Sequence, residues 1–302
     1  MSQTLTQAPA RTSEGSLRTR RVVGDVVAHV FLAVMAVLWL VPVVWVLMES
    51  FNANTGPFTT TFFPTDYTLT NYTQLFTDTT VMNFTAMFLR TLLIAVCVCV
   101  ISVFFVLSVG YSMSRLRFKM RRPYMNTALV LGMFPGIMAV VAIYFILKAM
   151  GLAGSATGGS VTTVVALILV YSAGSGAMFY VMKGFMDTIP FSLDEAAILD
   201  GCSRWQVFTK IILPVTKPMI VYQAIVGFLT PWLDFVLAKV ICTTQENYTV
   251  SLGLWQMLQK EYIAQWYARF AAGAVCVSVP IAILFIVMQR FYQTSMTGAV
   301  KG

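Results

Sequence analysis

Few residues of this chain carry groups that could do catalytic or redox chemistry. His29 is the single histidine, and the five cysteines show neither metal-ligand spacing nor a disulfide framework. No nucleophile–base or carboxylate constellation is visible, which disfavours a membrane enzyme. The phosphate-binding pattern G-x-x-x-x-G-K-[ST] is also absent, so we expect this chain to bind no ATP, no metal and no other cofactor.

Asp234 is the clearest ionisable residue deep inside an apolar run. A charge at the centre of a bilayer costs roughly 2.5–3.5 kcal/mol on insertion scales, so its carboxylate should face protein or water. Pro231, which precedes Asp234, frees a backbone carbonyl and should kink the helix. A proton relay would need a series of buried acids that the sequence lacks, which favours a structural partner or a cavity lining for Asp234.

The most informative polar stretch is residues 187–218, which separate two apolar runs. Ser192 and Glu195 have the spacing of a capping box, in which each side chain bonds the other residue's backbone N–H. Asp194 and Glu195 would also lie at the positive end of the helix dipole. Gly201 suits the position just beyond a helix C-terminus. The pattern predicts a short capped helix that ends in a glycine turn.

A second short helix should follow at once. Ser203 and Gln206 repeat the capping-box spacing, and Pro214 should end this helix. Ala196 and Ala197, in the first helix, are small enough to let another protein approach closely. An ordinary, well-capped loop would show the same physical features.

The elements that hold these residues are helices in a membrane. Hydrophobic residues make up 58% of the chain and charged residues 11%, whereas soluble domains carry roughly 25% charged residues. The apolar runs are continuous and about 20 residues long, which is the length of a membrane-spanning helix and not of a barrel strand. We predict an all-α membrane protein with six spans near residues 26–48, 87–108, 125–147, 161–182, 219–240 and 270–291.

The basic residues indicate the orientation of these spans. Of the 20 Lys and Arg residues, 15 lie in the tail 1–21, in the loops after spans two and four, or at the C-terminal end, which places both termini in the cytoplasm. The tail reads as disordered. Because the positive charge is divided among loops, we expect membrane lipid, and not nucleic acid, as a partner.

One motif in the polar stretch has a known counterpart. Glu195-Ala-Ala197, followed by Asp200-Gly201 and later by Leu213-Pro214, resembles the EAA motif of ABC importer permeases. Pro231-Trp-Leu-Asp234-Phe235 is similar to the W-N-D/E-F segment of carbohydrate permeases, with Leu233 in place of the Asn. The C-terminal residues 296–302 resemble the end of MalG-type subunits of maltodextrin importers. The resemblance covers residues 22–302.

The resemblance implies the fold of a type I ABC importer permease in a bacterial cell membrane. It implies a cytoplasmic ABC ATPase dimer that uses ATP and Mg, a second permease subunit and an external sugar-binding protein as partners. The EAA loop 187–218 and the C-terminal tail 292–302 would then contact the ATPase. The coupling residues implied are Ser192, Asp194, Glu195, Ala196, Ala197, Asp200, Gly201, Leu213, Pro214, Val300, Lys301 and Gly302.

Two further sets of residues are candidates for solute transfer. The external loop 241–268 occupies the position of the MalG-type loop that enters the binding protein, which suggests Tyr248, Trp255, Gln256 and Tyr262 as its contacts. An aromatic belt at the membrane interface explains some of these aromatics equally well. Polar or aromatic residues inside spans could line the path: Tyr171, Ser175, Gln223, Trp232 and Asp234.

Two alternatives remain open from the sequence. Within the same class, the solute could be something other than a sugar, although the C-terminal ending and the fifth span disfavour this. From another class, an ion-coupled secondary transporter would need inverted repeats and a coupling-ion site, and no clear internal repeat is visible. The sequence therefore favours an oligosaccharide permease without naming the sugar.

Overall fold

The computed structural model describes residues 14–54, 56–57, 62–153 and 160–299. Within them the regular structure is helical, apart from one isolated antiparallel bridge between Asn52 and Tyr67. Four of these helices are long and apolar enough to cross a membrane, and two bent helix pairs raise the number to six if each pair is one span. The all-α membrane class is therefore confirmed.

The first half of the chain supplies three candidate spans. Its helices are α1 (Glu14–Ser50), α2 (Thr70–Thr77), α3 (Phe84–Arg115), α4 (Arg121–Gly132) and α5 (Gly136–Ala149). Helix α1 begins inside the predicted tail 1–21, and residues 1–13 lie outside the described residues.

The second half is more interrupted. Its helices are α6 (Ser160–Gly174), α7 (Phe179–Asp187), α8 (Phe191–Leu199), α9 (Arg204–Val207), α10 (Leu213–Val215), α11 (Lys217–Leu233), α12 (Val236–Ile241), α13 (Val250–Met257) and α14 (Ile263–Ala299). A 3₁₀ turn, Ser175–Met178, joins α6 to α7, and a π-helix, Phe208–Ile212, joins α9 to α10. Val300, Lys301 and Gly302 lie outside the described residues.

Two of the predicted spans are not continuous. Helices α4 and α5 meet at 104°, because Pro135 has an extended ψ of 126° and precedes a new helix start. The predicted fifth span ends at Leu233, and Asp234 is extended with ψ 131°. Pro231 removes one helical hydrogen bond within that last turn, and the chain becomes helical again only at Val236, in the separate helix α12.

Helix α3 lies at the centre of the packing. It contacts α6, α7, α11 and α13, while α1 packs along α14. Two glycines permit the closest approaches: a Cβ at Gly110 would lie 2.6 Å from Met182 Cγ, and one at Gly227 would lie 2.5 Å from Ser102 Oγ. Small residues of this kind bring membrane helices together through dispersion contacts.

Candidate coupling site and solute path

Helix α8 presents apolar side chains to its surroundings in a segment outside the spans. Leu199 is 88% exposed and Trp205, in the next helix, is 70% exposed. Phe191, Leu193 and Ile198 are also exposed, whereas Ala197 is buried. Exposed apolar side chains that lie close together in this way are typical of a surface that binds another protein or a membrane.

The predicted capping box at Ser192 is wrong. Helix α8 begins two residues earlier than predicted, at Phe191, with Pro190 in place of Ser192 at the N-cap and no side-chain cap. Pro190 holds φ at −57°, which sets an extended entry, and the Arg115 guanidinium lies 4.3 Å from the centre of the Phe191 ring. Ser192 is therefore already helical, so its hydroxyl cannot reach the position of a cap.

The glycine turn and the second capping box are confirmed. Gly201 has φ +84°, a value that glycine adopts without steric cost. Its N–H donates to the Ile198 carbonyl at 3.0 Å, and the Cys202 N–H donates to the Ala197 carbonyl at 2.9 Å, which together form a Schellman motif. Ser203 then caps α9 in a reciprocal box with its third helical residue, Gln206.

Pro214 does not end the second helix. The helical course continues through α10 to Val215, and the 74° bend comes at Thr216, before α11. The π-helix accommodates Pro214, because the N–H of the preceding residue, Leu213, donates to the carbonyl of Phe208, five residues back. Leu213 is half-buried and Pro214 is exposed.

The base of α8 is fastened to the end of α3. Arg115 Nη2 donates to the Ile189 carbonyl at 2.9 Å, and Arg115 Nε lies 3.1 Å from Asp194 Oδ2. The preceding residue, Ser114, donates to Asp187 Oδ1 at 2.6 Å. Burial raises the pKa of Asp194 above its ordinary value, and the positive Arg115 opposes that rise without cancelling it.

Apolar packing completes this attachment. Ala197 joins Val106, Met182, Met186, Ile189, Val207 and Ile212 in one buried cluster. Glu195, Ala196 and Asp200 are exposed on the other side of α8. The Glu-Ala-Ala triplet thus divides between a buried alanine and an exposed pair.

Tyr171 and Asp234 are the two path candidates that the structure brings together. The Tyr171 hydroxyl donates to Asp234 Oδ2 at 2.9 Å, and the same oxygen accepts the Ala238 N–H at 2.9 Å. Ser251 Oγ donates to the Asp234 carbonyl at 2.7 Å. The carboxylate faces protein and accepts a backbone N–H from the first turn of α12. The break in the fifth span therefore bonds to Tyr171 of α6 and to Ser251 of α13.

The other path candidates lie apart from this pair. Ser175 Oγ donates to the Ser172 carbonyl at 2.6 Å within the 3₁₀ turn. Trp232 is buried, with its ring centre 5.3 Å from that of Phe88. Gln223 is also buried; its Nε2 and the Trp232 Nε1 find no hydrogen-bond acceptor among the described residues.

The four candidates in loop 241–268 divide into a pair beside Lys239 and a pair away from it. Tyr248 is half-buried and Trp255 is exposed. Lys239 Nζ lies 4.6 Å from the ring centre of Trp255 and 5.1 Å from that of Tyr248, which is a double cation–π contact. Gln256 is 7% exposed and thus buried, and Tyr262 is half-buried against the apolar cluster that contains Trp266 and Trp232.

Sequence reasoning missed Arg115, Lys239 and Ser251 as members of these sites. In the sequence, Arg115 and Lys239 are only two of the 20 basic residues whose distribution indicates the orientation of the spans. Apart from the Lys239–Tyr248 pair, the contacts of these residues join positions that are distant in sequence. Local spacing therefore could not predict the contacts of Arg115 or Ser251.

Comparison with known proteins gives a consistent result. Residues 106–296 match the family described as "Binding-protein-dependent transport system inner membrane component". The chain is 33% identical to the galactooligosaccharides transport system permease protein GanQ of Bacillus subtilis (strain 168), over 95% of this chain and 99% of the relative. It is 30% identical to the maltodextrin transport system permease protein MdxG of the same organism, over 94% and 99%.

A solved structure shares the fold. A chain of a bacterial ABC transporter involved in the import of the acidic polysaccharide alginate superposes with a TM-score of 0.71. The match covers 95% of this chain and 100% of that chain at 19% sequence identity.

Proposed function

Because this chain belongs to the family of inner membrane components of binding-protein-dependent transport systems, we propose that it is the permease subunit of an ATP-driven sugar importer. The relatives are named for galactooligosaccharides and maltodextrins, which supports an oligosaccharide as the solute. This subunit forms half of the translocation path, and a second permease subunit forms the other half.

The exposed apolar surface of α8 is the observation that carries this proposal. A helix of a membrane protein that lies outside the spans gains nothing from exposing Phe191, Ile198 and Leu199 to water. A cytoplasmic ATPase dimer that binds ATP and Mg would cover this surface. The basic residues at both termini and in the loop 187–218 support a cytoplasmic location for all three.

The transport cycle begins when the ATPase dimer closes on ATP. The closure moves α8 and, through its attachment, the helices above it, and the cavity shared with the second permease changes from inward-facing to outward-facing. An external binding protein then delivers the sugar. The coupling residues of this proposal are Ser192, Asp194, Glu195, Ala196, Ala197, Asp200, Gly201, Leu213 and Pro214, together with the C-terminal Val300, Lys301 and Gly302.

The solute path and the delivery surface are the least constrained parts of the proposal. Tyr171, Ser175, Gln223, Trp232 and Asp234 lie on or next to α6 and α11, which contact each other. The buried, unpaired Gln223 and Trp232 donors support a polar ligand there, because such donors cost free energy when left unsatisfied. Tyr248 and Trp255 offer aromatic faces to a sugar or to the binding protein, with Gln256 and Tyr262 behind them.

Reconstitution of the complex tests the proposal. The chain is co-expressed with candidate ATPase, second-permease and sugar-binding subunits, purified and placed in liposomes. We expect the ATPase to copurify with this chain and ATP hydrolysis to rise several-fold when the binding protein carries an oligosaccharide. A chain that transports sugar alone, driven by an ion gradient and without an ATPase, would contradict the proposal.

A further inference from the structure

Helix α3 contacts both segments that the proposed function places at the two membrane surfaces. It runs without a break from Phe84 to Arg115, whereas the third and fifth candidate spans are bent by 104° and 74°. At about 1.5 Å per residue, the distance from Thr91 to Arg115 is about 36 Å, which is more than the hydrocarbon thickness of roughly 30 Å.

At one end, the Arg115 side chain holds the start of α8 through three different contacts. Its Nη2 donates to the Ile189 carbonyl at 2.9 Å, its Nε lies 3.1 Å from Asp194 Oδ2, and its guanidinium covers the Phe191 ring at 4.3 Å. The side chain is only 3% exposed. A planar guanidinium can make all three contacts at once, and an ammonium group cannot.

At the other end, Arg90 and Thr91 hold the segment that leads into α13. Arg90 Nη1 donates to the Tyr248 carbonyl at 2.7 Å, and Thr91 Oγ1 accepts the Val250 N–H at 2.9 Å. Thr91 and Val250 are fully buried. Gly253 of α13 sits so close to Met87 that a Cβ there would lie 2.6 Å from Met87 Sδ.

Between its ends, α3 packs closely against two other helices. Gly110 admits Met182 of α7, and Gly227 of α11 admits Ser102. Tight packing of this kind resists internal deformation, so a displacement imposed on one end of the helix is carried to the other.

We propose that α3 transmits the motion of α8 to the external segment 245–257, with Arg115 as the positioning residue at the cytoplasmic end and Thr91 as its counterpart at the external end. This inference rests on the proposed function, since it requires an ATPase that moves α8. It assigns Arg115 a part in energy coupling, distinct from any contact with the ATPase, because its guanidinium is covered by this chain's own residues.

The test compares Arg115→Met with Arg117→Met in the reconstituted complex. Both changes remove one arginine at the C-terminal end of α3, but Arg117 lies two residues beyond the helix and is exposed. We expect Arg115→Met to lower the binding-protein-stimulated ATP hydrolysis at least tenfold while the ATPase still copurifies, and Arg117→Met to leave it within twofold. Arg115→Lys, which can keep one contact, should give an intermediate value.

A second readout separates coupling from simple destabilisation. Hydrogen exchange of the peptide 245–257 should change when ATP is added to the wild-type complex, and this change should disappear in Arg115→Met. Thr91→Val, which removes one acceptor with little change of volume, should weaken the same response from the other end. The variant that combines Arg115→Met with Thr91→Val should hydrolyse ATP no more than about twofold more slowly than Arg115→Met alone, because both residues act through the same helix.

The outcomes are distinguishable. A wild-type complex without ATP hydrolysis or sugar uptake contradicts the proposed function. A working wild type in which Arg115→Met and Arg117→Met behave alike, or in which ATP still changes the exchange of 245–257 in Arg115→Met, contradicts the role of α3. If Arg115→Met fails to assemble, Thr91→Val decides: a wild-type exchange response there contradicts the inference.

Discussion

Segments 187–218 and 241–268 use similar apolar and aromatic residues in opposite ways. In the first, Leu199 and Trp205 are largely exposed on short helices. In the second, Trp266 and Met257 are buried inside the protein. The difference is one of packing: segment 187–218 leaves these apolar side chains uncovered by the rest of the chain, and segment 241–268 buries them in its own fold.

The largest expected effect is on folding and compares the two tryptophans directly. Trp266→Ala removes a ring that is 2% exposed, and truncations of this kind typically cost about 3–5 kcal/mol of unfolding free energy. Trp205→Ala, at 70% exposure, should change that free energy by less than about 0.5 kcal/mol. Thermal unfolding of both variants in detergent measures the difference, and equal losses would remove the contrast between the segments.

The next effect concerns the turn after α8. Gly201→Asp places a side chain at φ +84°, which costs about 1–2 kcal/mol and shifts the exposed surface. We expect stimulated ATP hydrolysis to fall at least tenfold, measured in the reconstituted complex. Gly151 is a matched control, since it has φ +73° and equally open surroundings; a similar loss in Gly151→Asp would show that strain alone explains the result.

A smaller effect is expected at the break in the fifth span. Tyr171→Phe removes the hydroxyl that donates to Asp234 at 2.9 Å, and a hydrogen bond to a charged group is worth roughly 1.5–3 kcal/mol. Because the Ala238 N–H still donates to the same oxygen, we expect the lost stabilisation to be near the lower limit of this range. Sugar uptake should fall more than ATPase copurification. Uptake assays at several sugar concentrations measure the first quantity, and a pull-down of the ATPase measures the second.

The smallest effect is a pH dependence of stability at Asp78, in the loop before α3. Hydrogen bonds from Thr80, and then Arg269, hold the pKa of Asp78 below its ordinary value. The folded-state pKa is therefore below the unfolded one, so the stabilisation is complete above the unfolded pKa and is lost as the pH falls through the folded pKa. Surface pairs contribute less than about 1 kcal/mol. The free energy of unfolding should differ more between pH 3 and pH 7 in the wild type than in the Asp78→Asn variant.

Much of the fold could be predicted from local pattern. Each of the six apolar runs overlaps one of the four continuous candidate spans or one of the two bent helix pairs, because hydrocarbon requires each crossing to be a helix of about that length. Helix ends were harder to predict. Ser203 and Gly201 act as their neighbours in sequence predicted. Ser192 does not, since the helix starts two residues earlier, after Pro190 and beside the distant Arg115.

What the sequence by itself determined is the class of the protein, the positions of its spans and the presence of a capped segment between the fourth and fifth. These depend on composition, hydrogen-bond satisfaction and caps, all of which act within a few residues. Only the tertiary structure decided that α8 exposes an apolar surface, that Asp234 ends a helix beside Tyr171, and that Arg115 and Thr91 hold the two ends of α3. Those contacts join residues 63 to 159 positions apart, and packing across such separations leaves no periodicity or spacing that a single sequence displays.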